Sequence, residues 1–446
     1  MFQRSKKVAL AEKVTAEDAF ESPPKAADSE AADSSPVGSE TGTLNLTAER
    51  ELIRSRIGHL KPATDAYAVK FVDQVLEFSH RVRTSDIHLQ PTGDGLEIRF
   101  RSDGVLQPLG EFPIGASSSI VSRLKVLAGL LTYRSDIPQE GRIEEPPHGT
   151  EVRVSTFPCL HGERAVLRFF GHADQYKHLE VLGHADELVE SLKQCLAETS
   201  GALLVCGPAG SGKSTTLYAC MRHLVQETKG TRNLMSLEDP IEVPISGVAQ
   251  SQVNAAVGFD LHTGLKSLLR QDPEVIMVGE IRDPVTAEVA IQASLTGQLM
   301  ITSFHADSAT VAISRLLDMG IEPYLLRSGV KGICCQRLLR KLCDCARESH
   351  DPADALNLPI DWCRLPVGCQ ACNETGYQGR MLIGEFLSLA DAEVARAVLD
   401  TRDSRETNRI ATEHGMVSLW DRALEFVRQG KTSPAELRRV LGSIPM

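Results

Sequence analysis

Long apolar runs are missing from this 446-residue chain: no window holds the roughly eighteen uninterrupted apolar residues that a membrane-spanning helix needs. Residues 1–10 also lack an apolar core of signal-peptide length, so the expected location is the cytoplasm. There is no basic surplus either. With 48 lysines and arginines against 59 acids the formal net charge is -11, and a surface of that average sign repels nucleic acid and anionic lipid. A local basic patch is still allowed, but no nucleic-acid partner is expected. Aromatic residues are scarce, and residues 1–47 carry almost none among their Ala, Ser, Glu, Asp and Pro. Such a stretch cannot bury enough apolar surface to offset its ordering entropy, so it reads as a disordered tail. Eleven cysteines are an odd number, which argues against a disulfide framework. Several of them cluster between Cys334 and Cys372, and in a reducing compartment that points to metal.

What the chain does have is Gly207-Pro208-Ala209-Gly210-Ser211-Gly212-Lys213-Ser214, set between an apolar run at 201–206 and a helix-like stretch at 215–225. Strand, glycine-rich loop and helix in that order make a phosphate cradle. Gly207, Gly210 and Gly212 let the backbone curl so that N–H groups, from Ser211 to the helix N-terminus at Thr215, face a phosphate. Lys213 then reaches the terminal phosphates and Ser214 can ligate Mg2+, so ATP with Mg2+ is the expected ligand. A fortuitous match in a glycine-containing loop would not usually bring both flanks with it.

The length suits two or three domains. From Thr47 the pattern turns helical, and 66–78 places Val69, Val72, Val75 and Leu76 on one stripe of a docking helix. Alternating strands follow at 86–90, 95–101, 105–109, 151–155 and 165–170, with a helix at 119–128 among them, which makes a small α+β domain over 48–170. Residues 171–186 have no clear period and suit a linker. Over 187–446, apolar runs at 203–206, 234–238, 275–280 and 299–304 alternate with helix-length stretches. That alternation predicts an α/β domain whose mostly parallel sheet carries its ligand at the strand carboxyl ends. It includes a cysteine-rich module at about 334–385 and ends, beyond Asp391, in amphipathic helices.

Three of these strands end in a polar residue where a triphosphate would sit. The run 275–280 is a hydrophobic strand ending in Glu280, the arrangement that holds or polarises magnesium and its water. Glu238 and Asp239 end the second, and His305 follows the third. Singly, each has a plainer reading: an acid at a strand end is commonly a helix cap or solvated, and a histidine is commonly structural. Behind one phosphate loop they reinforce one another. Lys266 and Arg270, four apart, share one face of a short helix before the acid-bearing strand and could neutralise charge on the transferred phosphoryl group. A solvated basic face fits that spacing equally well.

Glu238-Asp-Pro-Ile-Glu242, the stretch 269–283, Thr296-Gly-Gln298 and Phe304-His-Ala-Asp307 strongly resemble the type II secretion and type IV pilus assembly ATPases, with likeness from about Ala66 to about Leu389. The resemblance implies a homohexameric motor in which nucleotide lies between a small N-terminal domain and a RecA-like domain. By matching position it makes Glu280 the Walker B acid, Glu238 the water-activating base and His305 a γ-phosphate sensor; Arg270, from its spacing alone, is taken with them as a catalytic cation. The family also brings arginines from the smaller domain, and Arg99 and Arg101 are the nearest match. The implied work is extrusion or assembly of pilin-like subunits at an inner-membrane platform. A retraction motor of the same superfamily is the nearest alternative, and a nucleotide-gated scaffold without turnover is the alternative outside the enzymes. Family members often carry a further folded N-terminal docking domain, where residues 1–47 here look disordered.

Cys369-Gln-Ala-Cys372 has the gap of a zinc knuckle and resembles the family's second cysteine pair. The first pair, Cys343-Asp-Cys345, is one residue short of the family spacing. Zn2+ on these four is expected, with Cys363 or His350 as substitute ligands if the shorter chelate fails. Cys334 and Cys335 read as helix packing.

Overall fold

The first sheet is built from strands whose alternate residues are apolar. The computed structural model describes residues 46–61, 64, 66–113, 117–143, 150–170, 178–400 and 403–442, which belong to one compact unit. Helices α1 (Leu46–Gly58) and α2 (Tyr67–Val82) precede β1 (Asp86–Pro91), β2 (Gly95–Ser102) and β3 (Val105–Pro113). Then come α3 (Ser117–Leu127), β4 (Gln139–Ile143), β5 (Val152–Cys159) and β6 (Gly162–Phe169). The strands pair antiparallel in the order β3-β2-β1-β6-β5-β4. Ile87, Leu89, Ile98, Phe100, Val154 and Leu167 are all buried against the helices, as period-two alternation requires. Val69 departs from expectation and is 37% exposed. It lies about 200° around the helix from Phe71, on which the buried stripe is centred. β4 was not legible, because Gln-Glu-Gly-Arg-Ile carries its one apolar residue at its end and pairs only with β5, on the sheet edge.

Beyond residues 171–177, which lie outside the described set, the part of the expected linker that is described is packed rather than free: Leu179, Leu182 and His184 are buried. The chain continues through α4 (Asp186–Ala197), β7 (Gly201–Cys206), α5 (Lys213–Thr228), β8 (Leu234–Glu238), β9 (Ala249–Gln252) and α6 (Leu261–Leu268). Next are β10 (Val275–Ile281), α7 (Pro284–Leu295), β11 (Leu299–Phe304), α8 (Ala309–Asp318), α9 (Pro323–Gly329) and β12 (Val330–Leu342). A small pair, β13 (Arg347–Ser349) and β14 (Cys363–Leu365), precedes β15 (Tyr377–Ser388), and α10 (Ala392–Asp400), α11 (Ser404–Glu413), α12 (Leu419–Arg428) and α13 (Pro434–Leu441) close the chain. The second sheet runs β15-β12-β7-β11-β10-β8-β9, parallel except for the β12–β15 pair. Helices cover both faces, so β7 is buried along its whole length.

Cys334 and Cys335 are corrected by this sheet: they lie in the middle of β12 beside β7, not on a helix. One faces the core under α4 and α5, the other the core under α8 and α12. A strand buried on both faces shows no alternation, and a short apolar run cannot be told from a buried helix by periodicity. The disordered-tail expectation for 1–47 falls almost wholly on residues outside the described set, whose first two members, Leu46 and Thr47, open α1. Among the described residues no helix is long and apolar enough to cross a membrane.

Candidate active site

β7 delivers the chain to a loop that only glycine can follow. Gly207 sits at φ 149°, and a Cβ there would stand 2.6 Å from the Gln336 carbonyl oxygen. Gly212, at φ 91°, opens α5 with Gln336 Nε2 close over its Cα. Gln336, buried in β12, ties the loop down by donating from Nε2 to Ser211 O at 2.9 Å and accepting from Thr216 Oγ1 at 2.9 Å. Lys213 folds back along the loop, its Nζ donating to Gly207 O at 2.8 Å and Pro208 O at 3.1 Å. Burial pulls its ammonium below the usual value, while the charge of Glu280 works in the opposite direction.

Two cavities with several lining residues in common flank this loop. The larger, about 710 Å³, lies between the sheets and is lined by Gly210, Ser211, Lys213 and Thr215 on one side and Arg101 and Arg168 on the other. The smaller, about 270 Å³, shares Gly210, Lys213, Ser214, Glu242 and Arg168, and adds Glu238, Glu280 and His305. Expected residues from three strand ends therefore meet in one chamber. Glu280 accepts from Arg282 Nε at 2.6 Å and lies 2.8 Å from His305 Nε2. Ser214 Oγ donates to Glu242 Oε1 at 3.2 Å. The convergence of a hydroxyl and two carboxylates beside the loop is the oxygen donor set a magnesium ion takes.

Glu238 is differently employed. It is 3% exposed, and its oxygens accept from Tyr218 OH at 2.5 Å, Ser236 Oγ at 2.5 Å and Gln250 Nε2 at 3.0 Å. The same Tyr218 hydroxyl accepts from the Glu242 N–H at 2.9 Å, so Glu238 fixes the backbone that presents Glu242. Burial, with the charge of Glu238 assisting, raises the Glu242 pKa against the opposing hydrogen bond from Ser214. Sequence reasoning passed over Glu242 although it stands in the same short motif.

Of the two arginines expected from the first sheet, Arg101 reaches the cleft and Arg99 does not; Arg99 lies 3.6 Å from Glu97 instead. β1 stands between β2 and β6, so Asp86 pairs in register with Arg101 on one side and Arg168 on the other. Its carboxylate lies 3.5 Å from Arg101 Nε and 2.9 Å from Arg168 Nε, aiming both at the loop. Arg168 was missed because the signal is a strand register. Arg270 turns back to Lys266 O at 3.0 Å and Ser267 Oγ at 3.4 Å and lines neither cavity. Arg337, Arg380 and Arg439 add positive charge from the second sheet and α13.

The model of a family described as type II/IV secretion system protein matches residues 61–439. The chain belongs to that family. Among its relatives is the type II secretion system ATPase E of Vibrio cholerae, 40% identical over 392 residues covering 85% of this chain and 76% of that one. The type IV pilus assembly ATPase PilB of Thermus thermophilus is 36% identical over 384 residues, covering 84% of this chain and 43% of that longer one. The solved structure of the Legionella pneumophila ATPase DotB has the same fold, with a TM-score of 0.62 at 20% identity, covering 83% of this chain and 95% of that one. This member of the secretion family is thus an ATPase, with the α/β fold expected of it.

The family member's second cluster is the sulfur one. Cys343, Cys345, Cys369 and Cys372 bring their Sγ atoms within 4.8 Å of one another, at 3.8 Å for Cys343–Cys369 and Cys345–Cys372 and 3.7 Å for Cys369–Cys372. Bonds of about 2.3 Å to tetrahedral corners place sulfurs about 3.8 Å apart, so the set fits a metal ion despite the short first pair. Cys369 N–H and Gly376 N–H both donate to Cys372 Sγ, at 3.1 and 3.2 Å. Cys363 is not needed as a substitute; it is buried in the apolar core on β14, and neither it nor His350 belongs to the cluster.

Proposed function

We propose that the chain is a hexameric ATP-driven motor of a type II secretion or type IV pilus system, working in the cytoplasm at an inner-membrane platform on pilin-like subunits. The observation that carries the catalytic part is the chamber in which Lys213, Ser214, Glu242, Glu280 and His305 meet Arg168 from the other sheet. Residues 48–170 and 187–446 act as two domains closing on nucleotide. Lys213 and the loop N–H groups bind the phosphates, and Arg101 and Arg168 meet charge developing on the γ-phosphoryl group only when the cleft is shut. Mg2+ held by Ser214 and Glu280 would supply further charge neutralisation. We assign activation of water to Glu242 rather than Glu238, whose oxygens are already engaged, and sensing of the phosphoryl group to His305 through Glu280. Arg270 and Arg99, both outside the cleft of their own chain, are reserved for contacts with a neighbouring subunit.

The test is ATP turnover by the assembled oligomer. Glu280→Gln is expected to bind ATP as the parent does and to hydrolyse it about a hundredfold more slowly; parent-level turnover in that variant would sink the assignment of Glu280. A non-hydrolysing scaffold predicts none in either protein.

The sulfur cluster supports a structural Zn2+ and with it the assembly branch over a retraction motor. Elemental analysis is expected to give one zinc per chain, and Cys372→Ser to lose it with a fall in melting temperature of about 5 °C or more. Metal-free parent protein with the same melting point contradicts this.

A further inference from the structure

The cysteine knuckle and the start of β15 touch the N-terminal part of the chain at two places, the first turn of α1 and the turn between β2 and β3. Asn373, directly after Cys372, accepts at Oδ1 from the Leu46 N–H at 2.6 Å. Asp103, at the tip of the turn between β2 and β3, accepts at Oδ2 from the Gly379 N–H at 3.1 Å, and its Oδ1 lies 3.7 Å from Arg380 Nε. A cavity of about 90 Å³ between them is lined by Leu46, Asp103, Val105, Cys372, Asn373 and Tyr377. Each end of this bridge leads to chemistry. On the knuckle side, the Gly376 N–H donates to Cys372 Sγ, so the sulfur cluster fixes the first residues of β15. On the other side, Arg101 Nη1 donates to Gly104 O at 3.0 Å, which joins its guanidinium to the turn that Asp103 anchors. Asp103 stands in left-handed backbone at φ 46°, so the turn presents its carboxylate in one direction.

We infer that the four-cysteine knuckle positions the nucleotide-facing Arg101, with Asp103 as the positioning residue that transmits its hold. The line runs from Cys372 through Gly376 and Gly379 to Asp103, and through the turn to Arg101, without any sulfur reaching the nucleotide cleft. Arg380 belongs to both ends, since it faces Asp103 and lines the cleft. Asp103 and Arg380 are each about 40% exposed, and an isolated surface pair of that kind contributes little. The hold therefore resides mainly in the Gly379 N–H bond to a carboxylate, which is directional and charge-assisted. The inference rests on the nucleotide and metal readings above.

The test is equilibrium titration of the full chain with a fluorescent ATP analogue and Mg2+, so that binding is read apart from turnover. Arg101→Ala is expected to weaken binding about tenfold and Asp103→Ala about fivefold, as loss of charged hydrogen bonds implies. Asp103→Asn keeps an acceptor for Gly379 and tolerates the same backbone but gives up the charge, so it should weaken binding clearly less than Asp103→Ala does. The double variant Cys369→Ser/Cys372→Ser should weaken binding by the same factor as Asp103→Ala, and adding Asp103→Ala to it should weaken it no further. If Arg101→Ala weakens binding while Asp103→Ala does not, the positioning role is overturned and the nucleotide site stands. If Arg101→Ala binds like the parent, the placement of Arg101 at the nucleotide falls and takes the inference with it, while the phosphate loop stands. Fully additive effects of the cysteine and Asp103 changes also overturn it. Should the cysteine variant fail to fold, the contrast between Asp103→Ala and Asp103→Asn still decides: equal weakening in both defeats the inference.

Discussion

Glu242→Gln is expected to lower kcat for ATP hydrolysis by about a thousandfold, within the range a positioned general base supplies, while ATP still binds. The carboxylate lines both cavities and accepts from Ser214, with its backbone held by Tyr218. Burial raises its pKa, which makes it a better proton acceptor than an exposed acid once it is ionised. The base works deprotonated, so the acid limb of the rate profile should lie above the ordinary glutamate value of about 4.3, and turnover should rise with pH through it. Glu238→Gln should cost far less, about tenfold, because Glu238 acts by holding Tyr218 and Gln250 in place. Single-turnover rates for the two variants rank the residues. A larger loss for Glu238→Gln returns the role of base to it.

The contrast between those two acids shows where sequence reading stopped. Both lie in one five-residue motif, and which carboxylate is free depends on Tyr218 from α5 and Gln250 from β9, neither of them local. Lys213, Ser214, Glu280 and His305 were legible because each follows or precedes a strand recognisable from its own residues, and parallel strands bring their carboxyl ends together whatever their order. Arg168 was not legible, since its place opposite Asp86 follows from the pairing of β1 with β6, about eighty residues apart in the chain. Arg101 emerged by likeness and Arg99 with it; two apart, they share one face of β2, and only Arg101, near the strand end and opposite Asp86, stands at the cleft, while Arg99 lies one pleat back beside Glu97. In the fold, strands that alternate, and short apolar runs such as β7, β10 and β11, were found, whereas polar β4 at an edge and the longer β12, whose Cys334-Cys335 pair reads equally as helix, were not.

Glu436→Ala should destabilise the chain by about 4 kcal/mol, the scale for stripping one partner from a buried ion pair. Glu436 is fully buried on α13, where it accepts from Arg340 N, Nε and Nη2 at 2.9, 3.0 and 2.8 Å and from Arg439 Nε and Nη2 at 2.7 and 2.6 Å. Arg340 stacks 3.9 Å from the centre of the Tyr377 ring, so without the acid a desolvated guanidinium is left on an aromatic face with an unpaired backbone N–H beside it. Burial alone would raise the Glu436 pKa, but the hydrogen bonds from Arg439 and Arg340 outweigh it and hold the carboxyl below its usual value. A lowered folded pKa means that this stability is fully present above the unfolded value of about 4.3 and drains away as pH falls through the folded one. Urea denaturation of parent and Glu436→Gln at falling pH should therefore show the gap between them narrowing only below that point. A gap that is constant with pH, or a loss under about 1 kcal/mol for Glu436→Ala, would mean the network is not desolvated. Because Arg439 also lines the nucleotide cleft, the same substitution should weaken ATP binding in whatever fraction remains folded, which ties the C-terminal helix to the site that the phosphate loop begins.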